Sequence, residues 1–158
     1  MNARTLGIRI LAPLGLVGAL LLSGCTFMAP TATLIQYDPA DGVGADMGDV
    51  LLRNVQVVTN EDGSLGNIAF TVINKGEATQ LNYSVPTLTG TVEDWIPVPP
   101  GSTLVGEELP HLIIIEEPDA IVGGLLAVTF QAGDGDSQTL MTPVLDNQGR
   151  PYLDPLVP

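Results

Sequence analysis

Apolar side chains recur at every second position along this chain, in short runs cut apart by Gly, Pro, Asn and Asp, and that spacing predicts strands. Ile68, Phe70 and Val72 alternate with Asn67, Ala69 and Thr71, so one face of that segment is buried. Asp49 to Thr59 holds Val55 and Val57 between Asn54 and Gln56, and Leu81, Tyr83 and Val85 repeat the period before Pro86. Thr91 to Val98 is less regular. Leu112 to Ile115 is a continuous apolar run suited to a strand buried on both faces. Leu125 to Gln131 and Thr139 to Val144 complete the set. Turn chemistry stands between them at Asn60-Glu61-Asp62-Gly63, Asn74-Lys75-Gly76, Pro99-Pro100-Gly101-Ser102 and Gly133-Asp134-Gly135-Asp136. About seven short strands with a turn roughly every ten residues predict an all-β, immunoglobulin-like sandwich.

The sandwich is expected over residues 49–145. A domain of about a hundred residues buries most of its apolar surface without crosslinks. This one has to, because Cys25 is the single cysteine. Residues 146–158 carry Pro151, Pro155 and Pro158, which bars them from a central strand; they form a Pro-rich tail.

The N-terminal segment reads as an export leader. Arg4 and Arg9 make a positive start, and Ile10 to Leu22 form an apolar stretch too short for a comfortable membrane span. Leu22-Ser23-Gly24-Cys25 follows: small residues enter a narrow peptidase cleft, and the thiol of Cys25 accepts diacylglycerol. This is similar to the lipobox of bacterial lipoproteins. Residues 1–24 are then the signal peptide. Residues 25–48 are the lipidated cysteine and a tether rich in Thr, Ala, Pro, Gly and Asp. Freely flexible, it spans roughly 25–29 Å. Leu34-Ile35-Gln36-Tyr37 within it is a segment able to pair with the domain edge. Two or more acyl chains suffice for stable anchoring where one is marginal. The expected location is the extracytoplasmic face of the cell membrane.

Charge narrows the partners. All 18 Asp and Glu residues lie after Cys25, against three cations there, Arg53, Lys75 and Arg150, so that part of the chain carries −15. Nucleic acid and anionic headgroups are repelled by such a body. The partners expected are the membrane, through the lipid on Cys25, and an unidentified envelope protein.

The second half of the chain resembles the periplasmic copper-chaperone family called PCuAC, an immunoglobulin-like or cupredoxin-like sandwich. The matching residues are Pro110-His111-Leu112-Ile113-Ile114, Gly123-Gly124-Leu125-Leu126-Ala127-Val128-Thr129-Phe130, Ala132-Gly133 and Met141-Thr142-Pro143-Val144. The first half resembles the related LpqE-type lipoproteins of high-GC Gram-positive bacteria, through Tyr37-Asp38-Pro39-Ala40-Asp41-Gly42, Gly48-Asp49-Val50-Leu51-Leu52-Arg53-Asn54-Val55 and Val72-Ile73-Asn74-Lys75-Gly76. The chaperone resemblance implies a Cu(I) site in which a His-x-Met pair joins an upstream His and Met, soft thioether sulfur favouring that ion. Here the pair reads His111-Leu112-Ile113, the upstream position in Val92-Glu93-Asp94-Trp95 has no histidine, and the hairpin for the other methionine is shortened. The resemblance implies the fold with most of its metal ligands lost.

His111 is the only histidine, and as a ligand it needs partners such as Met141 or the tether methionines Met28 and Met47. Without a second histidine or a free thiol, neither a hydrolase triad nor a zinc site of the usual kind can be assembled, and no serine motif stands beside Lys75. Asp38, Asp41, Asp46 and Asp49, or Asp134 and Asp136, offer hard oxygens to calcium but lack the spacing of a calcium loop. Glu93-Asp94, Glu107-Glu108 and Glu116-Glu117 are paired carboxylates, but neighbours on a strand point to opposite faces, so they are not acid/base dyads. They read as exposed loop and edge charges that discourage edge-to-edge aggregation. Trp95 and Tyr152 are the aromatics able to anchor a partner.

The sequence therefore predicts a non-enzymatic, lipid-anchored accessory domain that needs no cofactor. The alternative is a copper-handling lipoprotein using His111 and methionines. Labelled palmitate is expected to enter the parent protein in growing cells and to be absent from the Cys25→Ser variant, read by autoradiography of the immunoprecipitated chain.

Overall fold

The computed structural model describes residues 40–107 and 111–158; the leader, Cys25, Met28, Leu34–Tyr37, Asp38 and Pro110 lie outside the described residues. Two long strands, β2 (Val50–Thr59) and β3 (Leu65–Asn74), form an antiparallel pair rich in the β-branched residues that suit a pleated, half-buried surface. Their turn is held by Asp62, which accepts both the backbone N–H and the hydroxyl of Ser64 at 2.9 and 2.6 Å. Strand β1 (Val43–Met47) pairs with β2 on one flank. Strands β6 (Gly101–Val105) and β7 (Ile114–Glu116) pair with β3 on the other.

The second layer is centred on β4 (Thr79–Thr87) and β8 (Leu125–Ala132), with β5 (Gly90–Val98) at its edge and β9 (Ser137–Leu145) beyond β8. A short parallel pairing, Val57 with Val144 and Val58 with Leu145, joins β2 to β9. The path β5-β4-β8-β9-β2-β3-β6 is thus one mixed sheet curled into a sandwich. The fold class is the one the alternation predicts, all-β, with nine strands among the described residues rather than about seven.

The core lies between the layers. Leu52, Val55, Val57, Ile68 and Val72 meet Leu81, Val85, Leu126 and Val128, all fully or almost fully buried. Phe70 and Phe130 touch edge to face across it, ring centroids 5.5 Å apart at 70°. Strand β2 carries a bulge between Arg53 and Gln56, with Asn54 in the left-handed region at φ 55°. The extra residue changes parity: Val50 and Leu52 face the core before it, Val55 and Val57 after it. Asn54 Oδ1 accepts the N–H of Gly42 at 2.9 Å. A Cβ at residue 42 would stand 2.5 Å from the backbone of Asn54, so only glycine fits.

Several segments differ from their sequence-based assignment. The end of the expected tether is a strand, because Arg53 ties it down. Its guanidinium pairs with Asp46 at 2.6 Å and donates to the Ala45 carbonyl at 3.2 Å. The Pro99–Pro100 turn gives way at Gly101 to β6, which the turn composition conceals. Leu112 to Ile115 is not buried on both faces. Ile113 and Ile115 are 1% exposed, but Ile114 is 39% exposed, since β7 is only three residues long and lies at the sheet margin. The strands covered on both faces are β2 and the first half of β3. The outer-facing Val58 of β2 packs with Ala69 under Leu153 and Leu156 of a 3-10 helix formed by the tail, Pro151–Leu156.

Buried Asn67 fixes that helix, donating from Nδ2 to the carbonyls of Leu156 (2.9 Å) and Gly106 (2.6 Å). Asn67→Ala removes both and leaves two buried carbonyls short of a donor, for an expected loss of about 1–3 kcal/mol. Phe130→Ala opens a cavity at the layer contact and is expected to cost about 3–5 kcal/mol. Urea denaturation followed by circular dichroism measures both.

Candidate functional site

Two open grooves lie on the surface of the described residues. The first lies on the outer face of the second layer, where the register sets side chains in rungs. Trp95, Asn82 and Gln131 form one rung, and Glu93, Ser84 and Thr129 the next. The hollow over them is about 390 Å³. Trp95 is 49% exposed there, on the strand at the sheet edge among the described residues. Thr129 and Thr139 share a hydroxyl hydrogen bond of 2.8 Å, and Gln131 donates to the Gly135 carbonyl at 2.8 Å. Tyr83 sits at the same place on the inner side of β4, opposite Asp94. Burial first, and the Asp94 charge second, push its phenol above the ordinary tyrosine range. This face is a platform of neutral hydrogen-bonding groups with one aromatic and one outward carboxylate.

The second groove, about 490 Å³, lies at one end of the sandwich between three loops. The β2–β3 turn supplies Glu61 and Asp62, the β4–β5 turn supplies Leu88, and the segment after β7 supplies Glu117 through Val122. The loops are laced together by their backbones. Glu117 donates to Ser64 O at 2.8 Å, Leu88 to Glu117 O at 2.9 Å, and Asp119 to Pro86 O at 3.2 Å. Glu117 adopts φ 48°, a conformation costly for a residue with a Cβ and held here by those bonds. Ile121 to Gly124 close a tight turn, Gly124 N–H to Ile121 O at 2.9 Å, with Gly123 at φ 81°. The corner of that turn carries Ile121 and Val122, where turns usually present polar side chains. Asp62 is held below the ordinary carboxylate range by the Ser64 hydroxyl and then by the Ser64 backbone N–H.

The metal candidates are not drawn into one cluster. His111 is half-buried just ahead of β7, its carbonyl accepting the N–H of Gly106 at 2.7 Å. Its Nδ1 is buried, with no partner among the described residues. Met141 belongs to a different strand pair, opposite Ala127 in the β8–β9 ladder, and is 53% exposed. Met47 packs partly buried against the core. Ile113, where the chaperone resemblance wants a methionine, points into the core. Among the described residues, no group of three or more His, Cys, Asp or Glu side chains is placed to hold a metal ion.

Two of the acids weighed for calcium have other bonds. Asp46 is paired with Arg53, and Asp41 accepts the Tyr152 hydroxyl at 2.5 Å. That bond, before any other cause, raises the Tyr152 phenol above its usual range. Asp134 and Asp136 stand exposed in the β8–β9 turn. The end groove escaped the sequence reading. Leu88, Ile121 and Val122 each stand outside a period-two run, and only the folded loops collect them. The signal present was Ile121-Val122 directly before Gly123-Gly124, an apolar pair at a turn.

No family model matches this chain, and no curated protein matches it either. Among solved structures it is similar to the apo PmoF2 PCuAC domain, at 13% identity and a TM-score of 0.48, over 65% of this chain and 94% of that one. It is also similar to the copper-bound PCuAC domain from PmoF2, at 12% identity and a TM-score of 0.46, over 65% and 97% of the two chains. Likeness at this level carries no argument about ligands or activity in this chain.

Proposed function

We propose that the protein is a lipid-anchored binding domain of the cell envelope that works without catalysing a reaction. Cys25 holds it to the extracytoplasmic face of the membrane, and the sandwich presents its surfaces to a protein partner. The leader, its charge and the Leu22-Ser23-Gly24-Cys25 sequence support the anchoring. The observation that carries the reading against metal transfer is Ile113. In the family this chain resembles, position 113 would supply thioether sulfur beside the histidine; here it is an isoleucine 1% exposed, spent on the core. A thioether there would need the strand to turn its side chain out of the packed interior.

The alternative is copper handling by His111 with Met141 or the tether methionines. The buried, unpartnered Nδ1 of His111 is the observation in its favour. Cu(I) titration of the full chain against a chromogenic chelator separates the two. The proposed function expects no submicromolar binding and the same curve for His111→Ala. Submicromolar binding that vanishes in His111→Ala would replace the accessory domain with a copper carrier.

A further inference from the structure

We infer that the groove between the β2–β3 turn, the β4–β5 turn and the loop after β7 is a docking site for a cationic, apolar-bearing polypeptide segment of a partner protein. This deepens the proposed function, since it names the partner class for that binding domain.

Three exposed large apolar side chains carry it first. Ile121 is 81% exposed, Leu88 70% and Val122 39%, and all three line the one groove. Exposed apolar residues scattered singly need no explanation, but several converging on a concavity mark an interaction surface. The groove is also preformed. Its loops are fixed to one another by backbone bonds and by the bridge between Thr87 and Pro118, so an occupant need not order them.

Charge identifies the occupant. Glu61, Asp62, Glu117 and Asp119 line the same groove, and among the described residues no Lys or Arg does. Of the cations among the described residues, Arg53 and Arg150 are paired with Asp46 and Asp146. Lys75 stands at the β3–β4 turn, where its N–H donates to Asp49 O, and is not among the groove residues. The rim charge is therefore unbalanced, and Asp62 keeps its share down to acidic pH. An anionic lipid surface would bring headgroup phosphates against four carboxylates. A second copy of this chain, net −13, would bring its own acids. A segment alternating Lys or Arg with large apolar residues satisfies both surfaces, salt-bridging the rim while its apolar side chains cover Leu88 and Ile121.

The test uses the full chain in nanodiscs of neutral phosphatidylcholine, with empty discs as the blank. Fluorescence anisotropy follows a labelled short peptide alternating Lys with Leu, and its counterpart with Glu in place of Lys. The Lys peptide is expected to bind saturably and the Glu peptide not at all. Leu88→Ser with Ile121→Ser is expected to weaken binding about tenfold or more. Glu61→Gln with Asp119→Asn is expected to weaken it and to flatten its salt dependence, because exposed charge pairs are screened as salt rises. Leu104→Ser on β6, a 51% exposed site outside the groove, should leave the affinity unchanged.

Absence of saturable binding overturns the inference, and so do equal binding of the Glu peptide or an equal loss in Leu104→Ser. Binding of the domain to anionic vesicles, or a dimer that the groove substitutions dissociate in sedimentation, would give the groove to a membrane or to a second copy. Each of these leaves anchoring untouched, because palmitate labelling of Cys25 is read separately. Either pair of substitutions alone tests the site, and circular dichroism confirms that each variant is folded.

Discussion

The contact of Phe70 with Phe130 requires two strand layers to face each other with their apolar sides aligned, and the rest of the molecule follows from that requirement. The rings come from β3 and β8, which are not neighbours in the sheet, so the contact exists only when the sheet has curled closed. For β2 to serve the same interior along its whole length, Val50 and Leu52 must point inward and so must Val55 and Val57. A strand of strict period two cannot do this. The bulge at Asn54 supplies the missing half-step, and the Gly42 N–H fixes it in place. Through Asn54 and Arg53 the bulge also recruits β1, so the residues that shape the core bind the start of the domain as well.

Closing the core this way determines what is left for the outside. The inward Leu81, Val85, Leu126, Val128 and Phe130 of β4 and β8 are apolar, and the outward Asn82, Ser84, Thr129 and Gln131 present hydrogen-bonding groups without demanding burial. Edge strand β5 is blunted by Glu93 and Asp94 pointing to opposite sides and by Pro97, which offers no N–H to an incoming strand. The ends of the sandwich are under no such constraint, because loop side chains neither fill the core nor guard an edge. Large apolar residues at Leu88, Ile121 and Val122 therefore have no packing explanation within the described residues, whereas the isoleucines at 113 and 115 have a complete one.

Much of this was legible from residue order, and the parts that were not share a cause. Alternation in Ile68–Val72 and Leu81–Val85 survives in the structure because each segment keeps one face on the core for its whole length. Around Leu51-Leu52-Arg53-Asn54-Val55 the bulge breaks the period, so the pattern gave the strand's extent, Asp49 to Thr59 against Val50–Thr59, but could not reveal that Val50 and Leu52 share the core with Val55 and Val57. β1 and β6 were hidden because each is only five residues long and includes Gly with Asp or Ser, and their pairing rests on Arg53 and on backbone bonds to β3. Leu112 to Ile115 shows the reverse error: four apolar residues in a row suggested burial on both sides, but the outward Ile114 has no layer above it. Apolar residues pack by contact, and a local run cannot say which of its faces will find one. The end groove was illegible for the same reason, being assembled from three loops far apart in the chain.

The balance of charge and apolar surface at that end suits a domain tethered to a membrane, on the reading proposed for Cys25. An acidic body is repelled by an anionic surface over a Debye length of about 8–10 Å at physiological salt. On that reading the repulsion opposes close approach of the acidic groove to anionic lipid. The same field draws a basic segment in and speeds encounter, while the depth of the apolar floor sets how long it stays. Had the rim been neutral, Ile121 and Leu88 would have been free to associate with any apolar surface, the bilayer included. Carboxylates around an apolar groove cost little when a cationic partner arrives and discriminate strongly when another surface does. Specificity at this groove therefore rests on the acids as much as on the isoleucine they surround.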